Sequence, residues 1–264
     1  MRLIQEYGGF RLDKDEISKV FRLIVSNNKI SKNELVMESG YGINKIDIIK
    51  DYYLKHLGLL TNDNEITKIG NIISEYDKYF IDEITLWIMI YHWSRKRNNP
   101  ILYAILNHVE LPVPRSSLKQ LVEMWLHKEG FKTNYQKDYL SGLLSKTLNA
   151  FEDEDAFKSI NLIRLIDDKY YRGITYKLNP LLLAYVLYEN RNGRIKVSVE
   201  DLINEKGNIG AFVGFDLEKI MYYIYKMRDL DLLTYSQAAN LNNIDLIYKG
   251  EPADLIKRYY ESQT

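Results

Sequence analysis

Residue types able to do chemistry are sparse in this chain and poorly spaced for it. The four histidines, His56, His92, His108 and His127, fall in different segments. No two stand four residues apart, as paired ligands on one helix face would, and none lies in an HExxH run. Cysteine is absent, which excludes thiolate nucleophiles, disulfides and Cys-ligated zinc or iron–sulfur centres. The acidic run Glu152-Asp153-Glu154-Asp155 reads as a solvated loop between helices. Gly207-Asn208-Ile209-Gly210 is a two-glycine turn, and no GxxxxGK[ST], GxGxxG or GxSxG pattern occurs. The sequence therefore predicts no catalytic residue, no metal site and no cofactor.

What remains is the chemistry of recognition. Arg95-Lys96-Arg97 is the one dense basic cluster, with Arg115 and Lys119 beyond the Pro112 and Pro114 break. It follows an apolar helix, so the first reading is complementation of that helix's carbonyl end, with phosphate binding as the alternative. Over 264 residues, 36 Lys and Arg balance 36 Asp and Glu, and the formal net charge is zero. Proteins that hold DNA by bulk electrostatics carry a basic excess, so any nucleic-acid surface here must be local. Hydrophobic residues at 46% and charged ones at 27% suit a globular protein of two or three small domains. The 22 tyrosines read as compositional bias. Met1 to Phe10 lacks the apolar core of a secretory signal, and the runs Ile84–Trp93 and Leu181–Leu187 are too short to span a bilayer. No membrane is expected, and the cytoplasm is the default location.

The elements that would position these groups are mostly helices. A helix is predicted from about Asp13 to Ser26, broken at Asn27-Asn28. Ser31 and Glu34 form a capping box for a short helix ended by Gly40. A third helix runs from about Ile43 to His56, with Ile46, Ile49, Tyr53 and Leu57 on one buried stripe. Leu57-Gly58-Leu59-Leu60-Thr61 then leads to a small polar wing around Asn62-Asp63-Asn64. The same order returns near the end. Ser198 and Asp201 cap a short helix, Gly207 and Gly210 make the turn, and Asp216 caps a longer helix with Leu217, Ile220, Met221, Ile224 and Met227 on one face. Leu230-Asp231-Leu232-Leu233-Thr234 opens a polar hairpin over Thr234–Tyr248 that breaks near Asn242-Asn243. Between these modules, capping signals appear at Ser117/Gln120 and Thr133/Gln136, a hairpin pairs Ile160–Ile166 with Ile174–Leu178, and Pro180 opens a helix. The expected fold is mostly α with small β-hairpin wings. Winged helix-turn-helix-like modules at 1–77 and 180–264 flank a helical middle, 78–179.

In the first module, Lys32, Tyr41, Asn44, Lys45, Ile48 and Lys55 face outward as DNA-binding candidates, joined by Arg95, Lys96, Arg97, Arg115 and Lys119. Asn44 and Lys45 sit at a helix start, where partial positive charge favours phosphates. Asp47 and Asp51 on the same face oppose DNA, and an outward Ile48 suits a protein partner. In the last module Lys219, Tyr222 and Lys226, beside Glu218 and Asp229, form a charge-balanced face predicted to bind protein.

Taken together, several runs are distinctive. They are Phe10 to Asn28, Gly42-Ile43-Asn44-Lys45, Leu57-Gly58-Leu59-Leu60-Thr61, Thr67-Lys68-Ile69-Gly70, Thr85-Leu86-Trp87-Ile88-Met89-Ile90-Tyr91-His92-Trp93 and Leu255-Ile256-Lys257-Arg258-Tyr259-Tyr260. The chain resembles a bacterial and archaeal family catalogued as a domain of unknown function. Members of that family occur beside phosphosulfate-reductase-like genes in DNA phosphorothioation and anti-phage clusters. Many relatives carry a histidine near the phenylalanine that matches Phe10, where this chain has Gly8-Gly9. The resemblance implies a context, DNA modification or defence, and brings no catalytic residues. The expected function is a non-catalytic accessory or adaptor protein that binds proteins encoded nearby, with double-stranded DNA as a second partner class. A sequence-specific transcription regulator is the alternative, and a metal-dependent nuclease or sulfur-transfer component stands behind it.

Overall fold

A computed structural model describes residues 10–131, 139–173, 177–238 and 241–263. The chain is mostly helical, with two small three-stranded antiparallel sheets. It divides into two compact units, Met1–Ile174 and Thr175–Thr264. No helix among the described residues is long and apolar enough to cross a membrane.

In the first unit, α1 (Lys14–Ser26) begins where the Asp13 carboxylate accepts the amides of Asp15 and Glu16, two of the donors a helix start leaves unpaired. Helix α2 (Lys32–Ser39) has the expected Ser31/Glu34 capping box and ends at Gly40, whose φ of +74° closes the last turn. Helix α3 (Ile43–Asp47) runs on into a π-helical stretch, Ile48–Leu54. The wider turn buries Tyr52 as well as Ile49 and Tyr53, so the buried face is broader than a 3.6-residue stripe. A single bridge joins Leu60 to Ile66, and Thr67 caps α4 (Lys68–Tyr76) while its hydroxyl donates to the Gly58 carbonyl at 2.6 Å.

Helix α5 (Glu83–Trp93) is buried along nearly its whole length, as its continuous apolar run requires. After α6 (Pro100–His108) come β1 (Val113–Pro114), α7 (Arg115–Lys128), α8 (Tyr139–Asn149), β2 (Ile163–Ile166) and β3 (Lys169–Arg172). The strand order is β1-β3-β2. The expected hairpin is thus shorter than the sequence suggested. Asp167 and Asp168 both adopt positive φ, +48° and +58°, and turn the chain in two residues, so the strand paired with Ile163–Ile166 is Lys169–Arg172; residues 174–176 of the expected return lie outside the described residues. Helix α7 starts at Arg115, which puts Ser117 inside its first turn and not at its cap. The Thr133/Gln136 capping signal lies outside the described residues.

The second unit again sets helices between a first strand and a hairpin. Helix α9 (Pro180–Asn190) leads to β4 (Lys196–Ser198), α10 (Val199–Asn204), α11 (Ile209–Val213), α12 (Leu217–Arg228), β5 (Leu233–Ala238) and β6 (Leu241–Leu246), and the sheet order is β4-β6-β5. Terminal α13 (Pro252–Glu261) packs on α9. Asn242 and Asn243 lie within β6, paired with Gln237 and Ser236, and not in the turn. Gly210 falls inside α11, where a side chain would meet the Ile203 backbone at 2.7 Å, so it serves helix contact and not the turn. Leu217 is 54% exposed and stands off the core face that Ile220, Ile224 and Met227 share with Tyr223.

Two of the buried tyrosines are structural. The Tyr188 hydroxyl donates to the Leu232 carbonyl and accepts the Tyr248 amide at 2.9 Å, and Tyr223 accepts the Leu178 amide at 2.8 Å. A buried ring that also satisfies a backbone group does two jobs with one side chain.

One contact in the first unit can be tested directly. Gly58 has φ +81°, and a Cβ there would come within 2.5 Å of the His92 ring. Gly58→Ala combines left-handed strain with overpacking and should cost about 3 kcal/mol. Gly40→Ala, where nothing lies within 4 Å, should cost about 1 kcal/mol. Urea unfolding of both variants measures the difference, and equal losses would refute the His92 contact.

Candidate functional site

The outward candidates of the first module gather on α2 and α3, but their charges are already committed. Lys32 pairs with Asp47, Lys45 with Glu16, and Lys55 with Asp51 at 3.1 Å. Lys45 also lies 4.7 Å from the centre of the Tyr41 ring, with Lys19 at 5.1 Å. Burial raises the Tyr41 hydroxyl above its ordinary pKa, and the nearby Glu16, Asp13 and Asp15 add to this. Each pair stabilises the fold by at most about 1 kcal/mol. Their larger effect is on the field, since phosphates approaching this face meet Asp47, Asp51 and Glu16 along with the lysines. Asn44 is exposed and Ile48 half-buried. Met37 (82% exposed) and Ile43 (48%) add apolar surface that the sequence reading passed over.

The basic cluster separates. Arg95 lies over Tyr91 with its guanidinium 5.3 Å from the ring centre and donates to the Tyr91 hydroxyl. Lys96 pairs with Glu129 at the far end of α7 and sits over Trp125. Arg97 is exposed. Arg115 opens α7 and Glu129 follows its end, a span of roughly 20 Å at 1.5 Å per residue. Lys96 is therefore at the opposite end of that helix from Arg115 and Lys119, and the five cations do not form one strip.

The acidic run stays largely exposed, as a solvated loop would, and is tethered to the start of the chain. Arg11 reaches Asp153 at 2.8 Å and Asp155 at 3.2 Å, and the Lys14 amide donates to the Asp155 carbonyl. Glu154 pairs with Lys158. No sequence signal joined groups some 140 positions apart. Among the described residues no three His, Cys, Asp or Glu side chains come together as a metal site would need.

On α12, Lys219, Tyr222 and Lys226 are exposed as expected. Lys219 lies over Phe215, Lys226 over Tyr222 and Arg228 over Tyr225, each between 5.1 and 5.5 Å. Tyr225 and Arg228 extend the face beyond the three predicted residues. Spacing of i, i+4, i+7 and i+11 aligns Glu218, Tyr222, Tyr225 and Asp229 along its middle.

Two of the histidines, His56 and His92, are held uncharged by the fold. Burial pushes His92 down to about 3 and His56 to about 4, with Arg97 contributing to both. The Asn98 side chain donates to the carbonyls of both residues, at 2.7 Å to His92 and 3.2 Å to His56. Both rings are neutral in the folded protein at pH 7. The unfolded chain regains protons as pH falls through about 6.5, so stability drops from pH 7 to pH 5, by up to about 2 kcal/mol per histidine. His92→Gln should flatten this dependence in urea unfolding across that range. An unchanged slope would contradict the burial of His92.

No curated protein matches the sequence. Two solved structures share the fold over 100% of this chain and 88% of theirs. One is described as a magnesium ion-bound SspB crystal structure (TM-score 0.78, 14% identity) and the other as an SspB crystal structure (TM-score 0.77, 15% identity). The family model described as "Protein of unknown function (DUF4007)" matches residues 7–260, and the chain belongs to that family.

Proposed function

We propose that this protein is a non-catalytic accessory or adaptor subunit of a DNA-modification or phage-defence system, binding partner proteins first and DNA weakly. The observation that carries the reading is the pairing of Lys32, Lys45 and Lys55 with Asp47, Glu16 and Asp51. A face meant for phosphates would leave its cations unpaired. The exposed aromatics of α12 and the exposed Met37 and Ile43 have the composition of protein interfaces. The gene context of relatives that the sequence resembles supplies the setting, and the likeness to SspB is consistent with it. We also read α10–α12 with β4-β6-β5, and α7–α8 with β1-β3-β2, as winged-helix modules. The shared element order and strand order support this.

Pull-down of neighbouring gene products should succeed, and Tyr222→Ala with Tyr225→Ala should weaken capture at least tenfold. Retention of binding by that variant would sink the α12 assignment. In gel shifts at moderate salt, double-stranded DNA should bind weakly and without sequence preference. Asp47→Asn with Asp51→Asn, which releases Lys32 and Lys55, should tighten it several-fold. Nanomolar binding to one operator, lost in Asn44→Ala, would make the protein a transcription regulator instead.

A second reading is a magnesium-dependent nuclease, favoured by the magnesium in one solved structure of the same fold. Incubation of supercoiled plasmid and single-stranded oligonucleotides with magnesium or manganese decides it. Divalent-dependent cleavage by the pure protein would replace the adaptor reading.

A further inference from the structure

Between α1 and α4 lies an open groove of about 500 Å³, lined by cations and aliphatic side chains with no carboxylate among its lining residues. Lys19, Arg22, Leu23 and Ser26 recur along α1 at helical spacing, while Ser74 on α4 and Lys78 beyond it are four residues apart. In a chain of zero net charge where Lys32, Lys45 and Lys55 are each paired with a carboxylate, this concentration of cations stands out.

Arg22 is the informative member. Its guanidinium lies 4.5 Å from the centre of the exposed Tyr79 ring, and its Nε is buried without a hydrogen-bond partner. A guanidinium whose Nε is buried without a partner is not committed to any acceptor within the fold. The Tyr79 ring holds the guanidinium at the groove by a cation–π contact, and arginine is the cation best suited to take a carboxylate through two parallel bonds. Lys78 also approaches Tyr79, at 5.4 Å. Lys19 gives its ammonium to the Ser39 carbonyl at 2.7 Å, so it adds field more than a direct contact.

We propose that this groove binds an acidic peptide segment of a partner protein, with an apolar side chain against Leu23 and Val25 and a flanking carboxylate on Arg22 and Lys78. The apolar lining separates this occupant from a duplex backbone, which needs a row of polar and cationic donors. The α1 stretch from residue 19 to 26 spans about 10 Å, the length of roughly three extended residues. The motif is therefore short, one apolar anchor with acids beside it. The site is separate from the α12 face, so each can fail without the other.

The test pans a randomised twelve-residue peptide library displayed on phage against the full chain. Sequences pairing Asp or Glu with Leu, Ile or Phe should be enriched. A fluorescein-labelled enriched peptide should bind with an affinity that falls as salt rises. Arg22→Ser and Lys78→Glu should each weaken it at least tenfold. Ser26→Glu, at an exposed position that removes no cation, should do the same by offering Arg22 a competing carboxylate, while leaving the unfolding midpoint unchanged. Absence of acidic enrichment, or binding indifferent to all three variants, overturns the proposal. So does a labelled single-stranded oligonucleotide that binds the wild type and loses binding in the same variants.

Discussion

The first unit depends on a ring lying directly on a backbone. His92, near the end of α5, packs on Gly58 so closely that no side chain fits there. Around this contact Thr67 bonds the Gly58 carbonyl, Asn98 bonds the carbonyls of His56 and His92, and the Trp93 indole donates to Tyr52 at 3.3 Å. The seam fastens the exit of α3 to the most buried helix of the unit. It also needs an uncharged ring, because imidazolium would be buried beside Arg95 and Arg97. Neutral His92 and side-chain-free Gly58 are two halves of one packing solution.

The balanced charge of the chain is also cancelled locally. Opposite charges pair across the fold, Glu16 with Lys45, Lys96 with Glu129, Arg11 with Asp153, and Arg194 with Glu205 at 2.7 Å. Exposed pairs add little to stability. Their consequence is that Lys45 and Lys96, counted in the sequence as free cations, are spent inside the molecule. The groove of Arg22 and Lys78 has no carboxylate in its lining, so there the cations are not cancelled locally.

What the sequence made legible was local. The caps at Asp13, Ser31/Glu34, Ser198/Asp201 and Asp216 were readable because each involves residues within three positions. The buried stripe of Ile46, Ile49 and Tyr53 followed from periodicity. Features set by distant partners were hidden. The Lys45–Glu16 and Arg11–Asp153 pairs span 29 and 142 positions, and the Gly58–His92 contact joins two runs that the sequence offered only as separate motifs. The hairpin return was misplaced because two aspartates in left-handed geometry turn faster than the polar stretch implied. The tyrosines looked compositional because a hydroxyl's backbone partner leaves no trace in spacing.

The element order common to the two units sharpens the functional argument by contrast. If α3, α8 and α12 each occupy the recognition position of a winged-helix module, all three should present comparable outward faces, and they do not. Helix α3 and the segments flanking it offer lysines held by acids. Helix α8 buries Leu140, Leu143, Leu144, Thr147 and Leu148 and keeps little free surface. Helix α12 stands exposed, yet its central stripe is Glu218, Tyr222, Tyr225 and Asp229, with the cations drawn aside onto rings. Reading a base edge needs a helix whose middle is polar and whose flanks reach phosphates. An aromatic middle edged by carboxylates would instead set its acids against the phosphate backbone. The same stripe fits a protein groove, where rings supply contact area at low entropic cost and flanking charges select the partner. The surface chemistry of α12 therefore supports the protein-docking reading proposed above over base recognition.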